Sequence, residues 1–319
     1  MKNQTTNTIP TLIITGPTAT GKTALAVCLA QQFNGEIISA DSRQVYRGLD
    51  LGTGKDLEEY QQKNNSIPYH LIDIVDPMEE FNLFLFVQKA RQALLEIKQR
   101  NTLPILCGGT PLYINALLKG YDLQGGEPDE KLRKELALVP LPELIKILKK
   151  EAPKNFFDRV DCTQPQRVIR AIEIVRTKQP PQKMEPLQNT LVIAPKFSRP
   201  ILHQRIEKRL RDRFNNGMLQ EAKTLHDHGM TWEKMEWLGL EYRYMARHLS
   251  GQLSFDDMFQ QLLAHIRQFC KRQDIWFRKM ERENIAIHWI PEGNYNDAVS
   301  LVQNWLTNNK KEPNRKILE

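Results

Sequence analysis

The 319-residue sequence predicts an α/β fold: a parallel sheet flanked by helices, with a helical insertion domain and a helical C-terminal part. Three observations predict it. Short, almost wholly apolar runs at 12–15, 35–40, 69–75 and 103–107 alternate with helix patterns, as in strands buried on both faces. The first run passes through a glycine-bearing loop directly into a helix pattern. From Tyr121 the texture changes to charged, helical sequence broken at Pro140, Pro142 and Pro153.

The first strand, 12–15, leads into Gly16-Pro17-Thr18-Ala19-Thr20-Gly21-Lys22-Thr23, which fits the phosphate-binding pattern G-x-x-x-x-G-K-[ST]. Glycines let backbone N–H groups converge on phosphate oxygens, Lys22 adds a mobile positive charge, and the Thr23 hydroxyl can hold Mg²⁺. The N-terminus of the following helix adds its partial positive charge. A P-loop NTPase-like core is therefore expected, with a polyphosphate bound at this loop. The second strand ends in Asp41-Ser42, and 43–50 reads as a polar loop or short helix. Residues 56–66 read as an exposed helix and loop, and 69–75 as the third strand.

An amphipathic helix fits 83–100, with Phe86, Val87, Ala90, Leu94 and Ile97 on one face. The fourth strand runs into Gly108-Gly109-Thr110-Pro111 and then a helix to Leu118. Ligands of such sheets lie beyond the carboxyl ends of the strands, so the loops after strands one, two and four should share one crevice. Boundaries follow as a first core part over 1–120, an insertion over 121–186, the rest of the core with C-terminal helices over 187–308, and a disordered tail over 309–319. Within these, helices are expected at 164–178, 199–215, 219–228, 237–249, 255–278 and 295–306, and strands at 190–194 and 285–289.

Lys and Arg number 45 against 38 Asp and Glu, a net charge of +7 that is compatible with nucleic acid without requiring it. Cys28, Cys107, Cys162 and Cys270 form no C-x-x-C pair, so buried free thiols are expected and no structural zinc. No run approaches a membrane span and the N-terminus lacks an apolar leader core, so a cytoplasmic enzyme with no membrane partner is the expectation.

Several clusters could carry chemistry. Asp41 would face the phosphate loop across the crevice as a base or metal carboxylate, or simply cap the next turn. Thr110-Pro111 makes a helix start whose free N–H groups could hold an anion, or serve only as a cap. Gln166, Arg167 and Arg170 share a helix face that could grip RNA or face solvent. Arg205 and Arg209, four residues apart, could clamp an anion or make surface ion pairs. Basic residues and aromatics interleave over 268–279, which suits nucleic acid as well as ordinary core packing.

Taken together, G-P-T-A-T-G-K-T (16–23), D-S-R-Q-V-Y-R-G-L-D (41–50), H-L-I-D-I (70–74), G-G-T-P-L-Y (108–113), P-Q-R-V-I-R-A-I-E (165–173), H-Q-R-I-E-K-R (203–209) and K-R-Q-D-I-W-F-R (271–278) resemble the tRNA dimethylallyltransferase family. The resemblance spans nearly the whole chain in order. It implies transfer of a dimethylallyl group from dimethylallyl diphosphate to N6 of adenosine 37 in tRNAs that read codons starting with U. It further implies catalytic roles for Asp41, Thr110 and Arg209, and diphosphate binding by Gly16 through Thr23 with Mg²⁺ on Thr23. Contacts to the tRNA anticodon stem-loop are implied for Asp41, Ser42, Arg43, Gln44, Gln166, Arg167, Val168, Ile169 and Arg170, the insertion gripping the RNA. A monomer is expected. The chain departs from the family at Leu238-Gly239-Leu240-Glu241-Tyr242-Arg243-Tyr244, where G-Y-[KR]-[EQ] is common, and at Gly52-Thr53-Gly54-Lys55, where G-T-A-K-P is usual.

Three rivals remain at the level of sequence. One is an adenylate isopentenyltransferase using AMP or ADP, which would need neither the insertion nor the basic C-terminal half. The second is a P-loop kinase of a small metabolite. The third is a tRNA-binding module without catalysis, which the complete phosphate loop disfavours.

Overall fold

The structure, a computed structural model, describes residues 8–62, 65–121, 128–177 and 184–311. In chain order the first part comprises β1 (Thr11–Ile14), α1 (Lys22–Phe33), β2 (Gly35–Ser39), a 3₁₀ turn (Leu57–Tyr60), β3 (Gln61–Gln62), β4 (Asn65–Ser66), β5 (Tyr69–His70), α2 (Leu83–Gln99), β6 (Leu103–Cys107) and α3 (Pro111–Lys119). Then come α4 (Glu130–Ala137), α5 (Leu141–Glu151), α6 (Lys154–Phe157) and α7 (Pro165–Arg176). The last part is β7 (Thr190–Lys196), α8 (Arg199–Asn215), α9 (Met218–Asp227), α10 (Trp232–Leu238), α11 (Leu240–Leu249), α12 (Phe255–Arg282), β8 (His288–Pro291) and α13 (Tyr295–Lys311).

Six strands form one parallel sheet in the order β5-β2-β6-β1-β7-β8, with β1 between β6 and β7. Alternate residues Leu12 and Ile14 of β1, with Ile105 of β6, Ile193 of β7 and Ile37 of β2, pack against α1 and against Ala298 and Val302 of α13. Helix α2 packs against β2 and β6. Strands covered in this way carry the continuous apolar runs seen in the sequence. The carboxyl ends of β1, β2 and β6 point to the same side, as parallel strands must, and the loops that follow them meet there.

The structure corrects several sequence expectations. The third strand is only Tyr69–His70, because Leu71 and Asp73 take positive φ angles of 63° and 56° that no strand tolerates. The turn so formed brings the Asp73 carboxylate onto Lys55, a fully buried lysine that also bonds Asp50 at 2.6 Å and the Tyr46 carbonyl at 2.8 Å. Residues 56–66, read as exposed helix and loop, instead hold the 3₁₀ turn, the β3–β4 hairpin and a buried Tyr60; residues 63 and 64 lie outside the described set. The expected helix 237–249 is two helices, α10 and α11, divided at Gly239, whose φ of 152° breaks the helical backbone. Helix α13 runs on to Lys311, past the expected start of a disordered tail, and 312–319 lie outside the described residues. Of the four thiols, Cys107 and Cys270 are buried as expected, but Cys28 is exposed and Cys162 half-buried. Among the described residues no helix is long and apolar enough to cross a membrane.

Lys119–Pro186 forms a compact unit of its own, and the rest of the chain another. The small unit has its own apolar core, in which Leu136, Leu144, Leu148, Val168 and Ile172 are buried. Glu173, a deeply buried carboxylate of this unit, accepts hydrogen bonds from Arg133 at 2.8 Å and Arg170 at 2.6 Å. Burial works to raise this carboxyl, but those bonds hold it below the ordinary range.

Candidate active site

The loop between β1 and α1 wraps the sheet end as the sequence motif requires. Gly21 caps α1 with a φ of 79°, leaving the first-turn N–H groups facing outward. Thr20 donates its hydroxyl to the Pro17 carbonyl at 2.9 Å, and the Lys22 ammonium donates to the same carbonyl at 2.7 Å. Desolvation lowers the Lys22 ammonium to about 8, although the Asp41 carboxylate pulls the other way. The Thr23 hydroxyl takes no hydrogen-bond partner among the described residues.

The loop after β6 lies against the loop after β2. Gly108 permits this contact, since a Cβ there would meet the Ala40 carbonyl oxygen at 2.2 Å. The Thr110 N–H donates to the Ala40 carbonyl at 3.3 Å, and the Ser42 N–H donates to the Thr110 hydroxyl at 3.3 Å. One Asp41 oxygen accepts from the N–H groups of Arg43 at 2.8 Å and Gln44 at 3.3 Å. Asp41 therefore does cap its turn. The same turn holds it rigidly at the crevice, so the two readings of this residue are compatible.

A crevice of about 360 Å³ is lined by Thr18, Lys22, Thr23, Asp41, Ser42, Arg43, Gln44, Thr110 and Arg209, all residues expected at the site. Gln44 is pinned between the Ser39 hydroxyl at 2.8 Å and the Gly54 carbonyl at 2.9 Å. Arg43 lies 5.0 Å from the ring centre of Trp237, an exposed aromatic on the crevice wall. Helix α8 delivers cations to the other wall. Arg209 pairs with Asp56 at 2.8 Å, and Arg213, which shares that carboxylate at 3.5 Å, is pressed against Gly54. Arg205 instead braces the phosphate loop, donating to the Ala19 carbonyl at 2.7 Å. A larger cavity of about 660 Å³, lined by Arg199, Lys271 and Trp289 among others, touches the loop only at Pro17 and Thr20 and holds none of the expected site residues beyond those two.

The remaining expected residues, Gln166 to Arg170, open α7 in the small unit. Gln166 and Arg167 are exposed, and Arg167 is ion-paired with Asp161. Val168 is fully buried and Ile169 nearly so, and both side chains belong to the small unit's core. Arg170 is tied to Glu173.

Sequence reasoning missed four supports. Arg213 continues the spacing of Arg205 and Arg209, a signal that was available. Glu221 of α9 accepts from the N–H groups of Asp50, Leu51 and Gly52 at 3.0, 2.8 and 3.0 Å and from the Tyr242 hydroxyl at 2.6 Å. Tyr242 in turn packs on Gly52, where a Cβ would come within 2.5 Å of its ring. Gln273 of α12 bonds both the phosphate loop and the loop after β6. Glu221 lies far along the chain from the loop it holds and nothing local marks it, whereas Gln273 falls within the K-R-Q-D-I-W-F-R string, which does not reveal that it reaches these two loops.

The IPP transferase family model matches residues 44–280, and an isopentenyl transferase model matches residues 10–71. A protein of Geotalea daltonii named tRNA dimethylallyltransferase 1 is 48% identical over 280 residues, 88% of this chain and 90% of its own. One of Citrifermentans bemidjiense named tRNA dimethylallyltransferase 2 is 46% identical, covering 92% and 94% respectively. Among solved structures, a tRNA isopentenylpyrophosphate transferase of Bacillus halodurans is similar at 32% identity and a TM-score of 0.67, over 95% of this chain and 97% of its own. A eukaryotic dimethylallyltransferase acting on tRNA is similar at 25% identity and a TM-score of 0.80, over 94% and 80%.

Proposed function

Because the chain belongs to the IPP transferase family, we propose that it transfers a dimethylallyl group from dimethylallyl diphosphate to N6 of adenosine 37 in tRNAs that read codons starting with U. One observation carries the reading beyond the family: the phosphate loop, a held carboxylate and a cationic wall line the same crevice.

In the reaction the N6 lone pair forms a bond to C1 of the dimethylallyl group. The C1–O bond breaks, its electron pair leaves on the diphosphate, and the N6 proton passes to the Asp41 carboxylate. The adenine amine is a weak nucleophile, and a carboxylate accepting its proton raises its reactivity. Charge grows on the leaving diphosphate, where the free N–H groups of the loop over 16–23, the Lys22 ammonium and the Arg209 guanidinium stabilise it. The Lys22 ammonium has three donors and spends one on the Pro17 carbonyl, which leaves two for the diphosphate. The Thr110 hydroxyl, beside the Ser42 N–H, borders the acceptor.

Mg²⁺ fits the Thr23 end of the crevice. Its hydroxyl has no protein partner among the described residues, and no cluster of three or more His, Cys, Asp or Glu side chains there offers a competing cage. Such a donor set suits an ion that keeps phosphate and water oxygens around it. When bound, the ion would neutralise diphosphate charge.

The acceptor adenine must leave its stack to enter the crevice. Exposed Gln166 and Arg167 on the small unit, with Ser42, Arg43 and Gln44, are the proposed contacts to the anticodon stem-loop. The protein would act as a monomer in the cytoplasm. The test is incubation with labelled dimethylallyl diphosphate and either an A36-A37 anticodon stem-loop, AMP, or ATP with candidate metabolites. Label is expected on the RNA at A37; label on AMP and never on RNA would overturn the reading.

A further inference from the structure

Gln273 lies on α12, 4% exposed, with its primary amide between the two halves of the crevice. Its Oε1 accepts the Thr18 N–H at 2.9 Å, and its Nε2 donates to the Gly109 carbonyl at 2.7 Å. Thr18 belongs to the loop that takes the leaving group, and Gly109 immediately precedes Thr110 on the acceptor side. We propose that Gln273 is a positioning residue that sets the registry between the leaving-group half and the acceptor half of the site. The inference rests on the prenyl-transfer reading above.

The chemistry of the side chain supports this role. An amide presents one donor and one acceptor at a fixed separation in one plane, so its two bonds fix the two loops relative to each other as well as to α12. A carboxylate supplies no donor at neutral pH, and a thioether offers only a weak acceptor. The amide is buried, so losing either partner leaves a desolvated polar group and makes the two-bond state strongly preferred. Gly109 permits the close approach, since a Cβ there would stand 3.0 Å from Nε2 and 3.6 Å from the Lys22 nitrogen. The Thr18 N–H is thereby committed to the protein, and the loop's free N–H groups are the ones left to meet diphosphate.

Each loop also has contacts of its own: the Thr20 and Lys22 bonds to Pro17 in the first, and the bonds to Ala40 in the second. What Gln273 adds is their relative placement. Displacing reacting atoms by about 1 Å costs on the order of 100-fold in rate. The split between kcat and KM is therefore diagnostic.

The experiment compares Gln273→Met, which keeps side-chain length and removes both strong bonds, with Gln273→Glu, which keeps the acceptor for Thr18 and removes the donor to Gly109. Prenyl transfer to the stem-loop is measured together with amide hydrogen exchange of peptides covering 16–23 and 107–112. For Gln273→Met, kcat is expected to fall by roughly 100-fold while KM for each substrate stays within about threefold. The Thr18 amide should exchange at least about tenfold faster in that variant and stay protected in Gln273→Glu. Unchanged kcat in Gln273→Met, or loss expressed only as a higher KM, would overturn the proposal, as would unchanged Thr18 exchange. A wild-type protein that transfers nothing to RNA would overturn the functional reading instead, and the exchange data alone would then decide the clamp.

Discussion

Lys22 illustrates how much a single residue's surroundings can alter its chemistry. Desolvation lowers its ammonium from 10.5 to about 8, so between those values the unfolded chain holds a proton that the folded chain has released. Stability therefore rises as pH increases from about 8 to 10.5, and Lys22→Met should lose that rise while remaining folded. Thermal unfolding across this window, wild type against variant, checks it. Affinity for the diphosphate moves the other way in the free enzyme, weakening as pH climbs past about 8 and the cation is lost. Asp41 gives a second test. Asp41→Asn keeps an oxygen for the N–H groups of Arg43 and Gln44 but cannot take a proton, so transfer should fall by about 10²- to 10⁴-fold with diphosphate binding retained. Equilibrium binding of a non-reactive diphosphate beside turnover measures both. These two residues were legible in the sequence because their neighbours in the chain form the motif. Lys55 was not: its importance lies in burial against Asp50, Asp73 and Tyr46, contacts that a turn-like Gly-Thr-Gly-Lys string does not announce.

At the scale of elements, alternating strands and helices were readable because each buried strand is apolar throughout and each helix carries its own periodicity. Failures came where backbone conformation overrides composition. The apolar string at 69–75 looks like a strand, yet positive φ at Leu71 and Asp73 turns it after two residues. Gly239 is the other case. Replacing it with Ala forces a side chain into a φ of 152°, with an expected loss of about 1–3 kcal/mol in unfolding free energy, measurable by urea titration. Helix α7 separates two kinds of arginine. Arg167, 64% exposed at its side chain, is free to exchange Asp161 for a phosphate, so Arg167→Ala should lower the slope of log affinity against log salt by about one. Arg170→Ala should instead lower the small unit's stability, since it removes a bond to buried Glu173. An unchanged slope in RNA titrations of Arg167→Ala would return α7 to a structural role alone.

At the scale of the molecule, the small unit is inserted at one point of the larger one: the Leu187 N–H donates to the Leu117 carbonyl at 3.0 Å. The chain ends left by excising Lys119–Pro186 are thus already adjacent, and a short glycine bridge should join them. The excised protein is expected to keep its six-stranded sheet and diphosphate binding while losing most affinity for the stem-loop, as circular dichroism and RNA titration would show. That a large basic chain had two parts was visible in the proline-broken texture after Tyr121. The closing of the sheet by β7 and β8 could be anticipated only in outline. Strand order also bears on biosynthesis. The chain leaves the ribosome with β1 early, β6 ready to pair on one side, and the other edge bare until Thr190 and its successors emerge. Throughout that interval the nascent chain carries a half-built apolar sheet, the kind of open edge that chaperones shield. The insertion, which has its own core, can fold meanwhile. A chain truncated before Thr190 is therefore expected to aggregate rather than act as a weak enzyme, which expression of that fragment and its sedimentation would check.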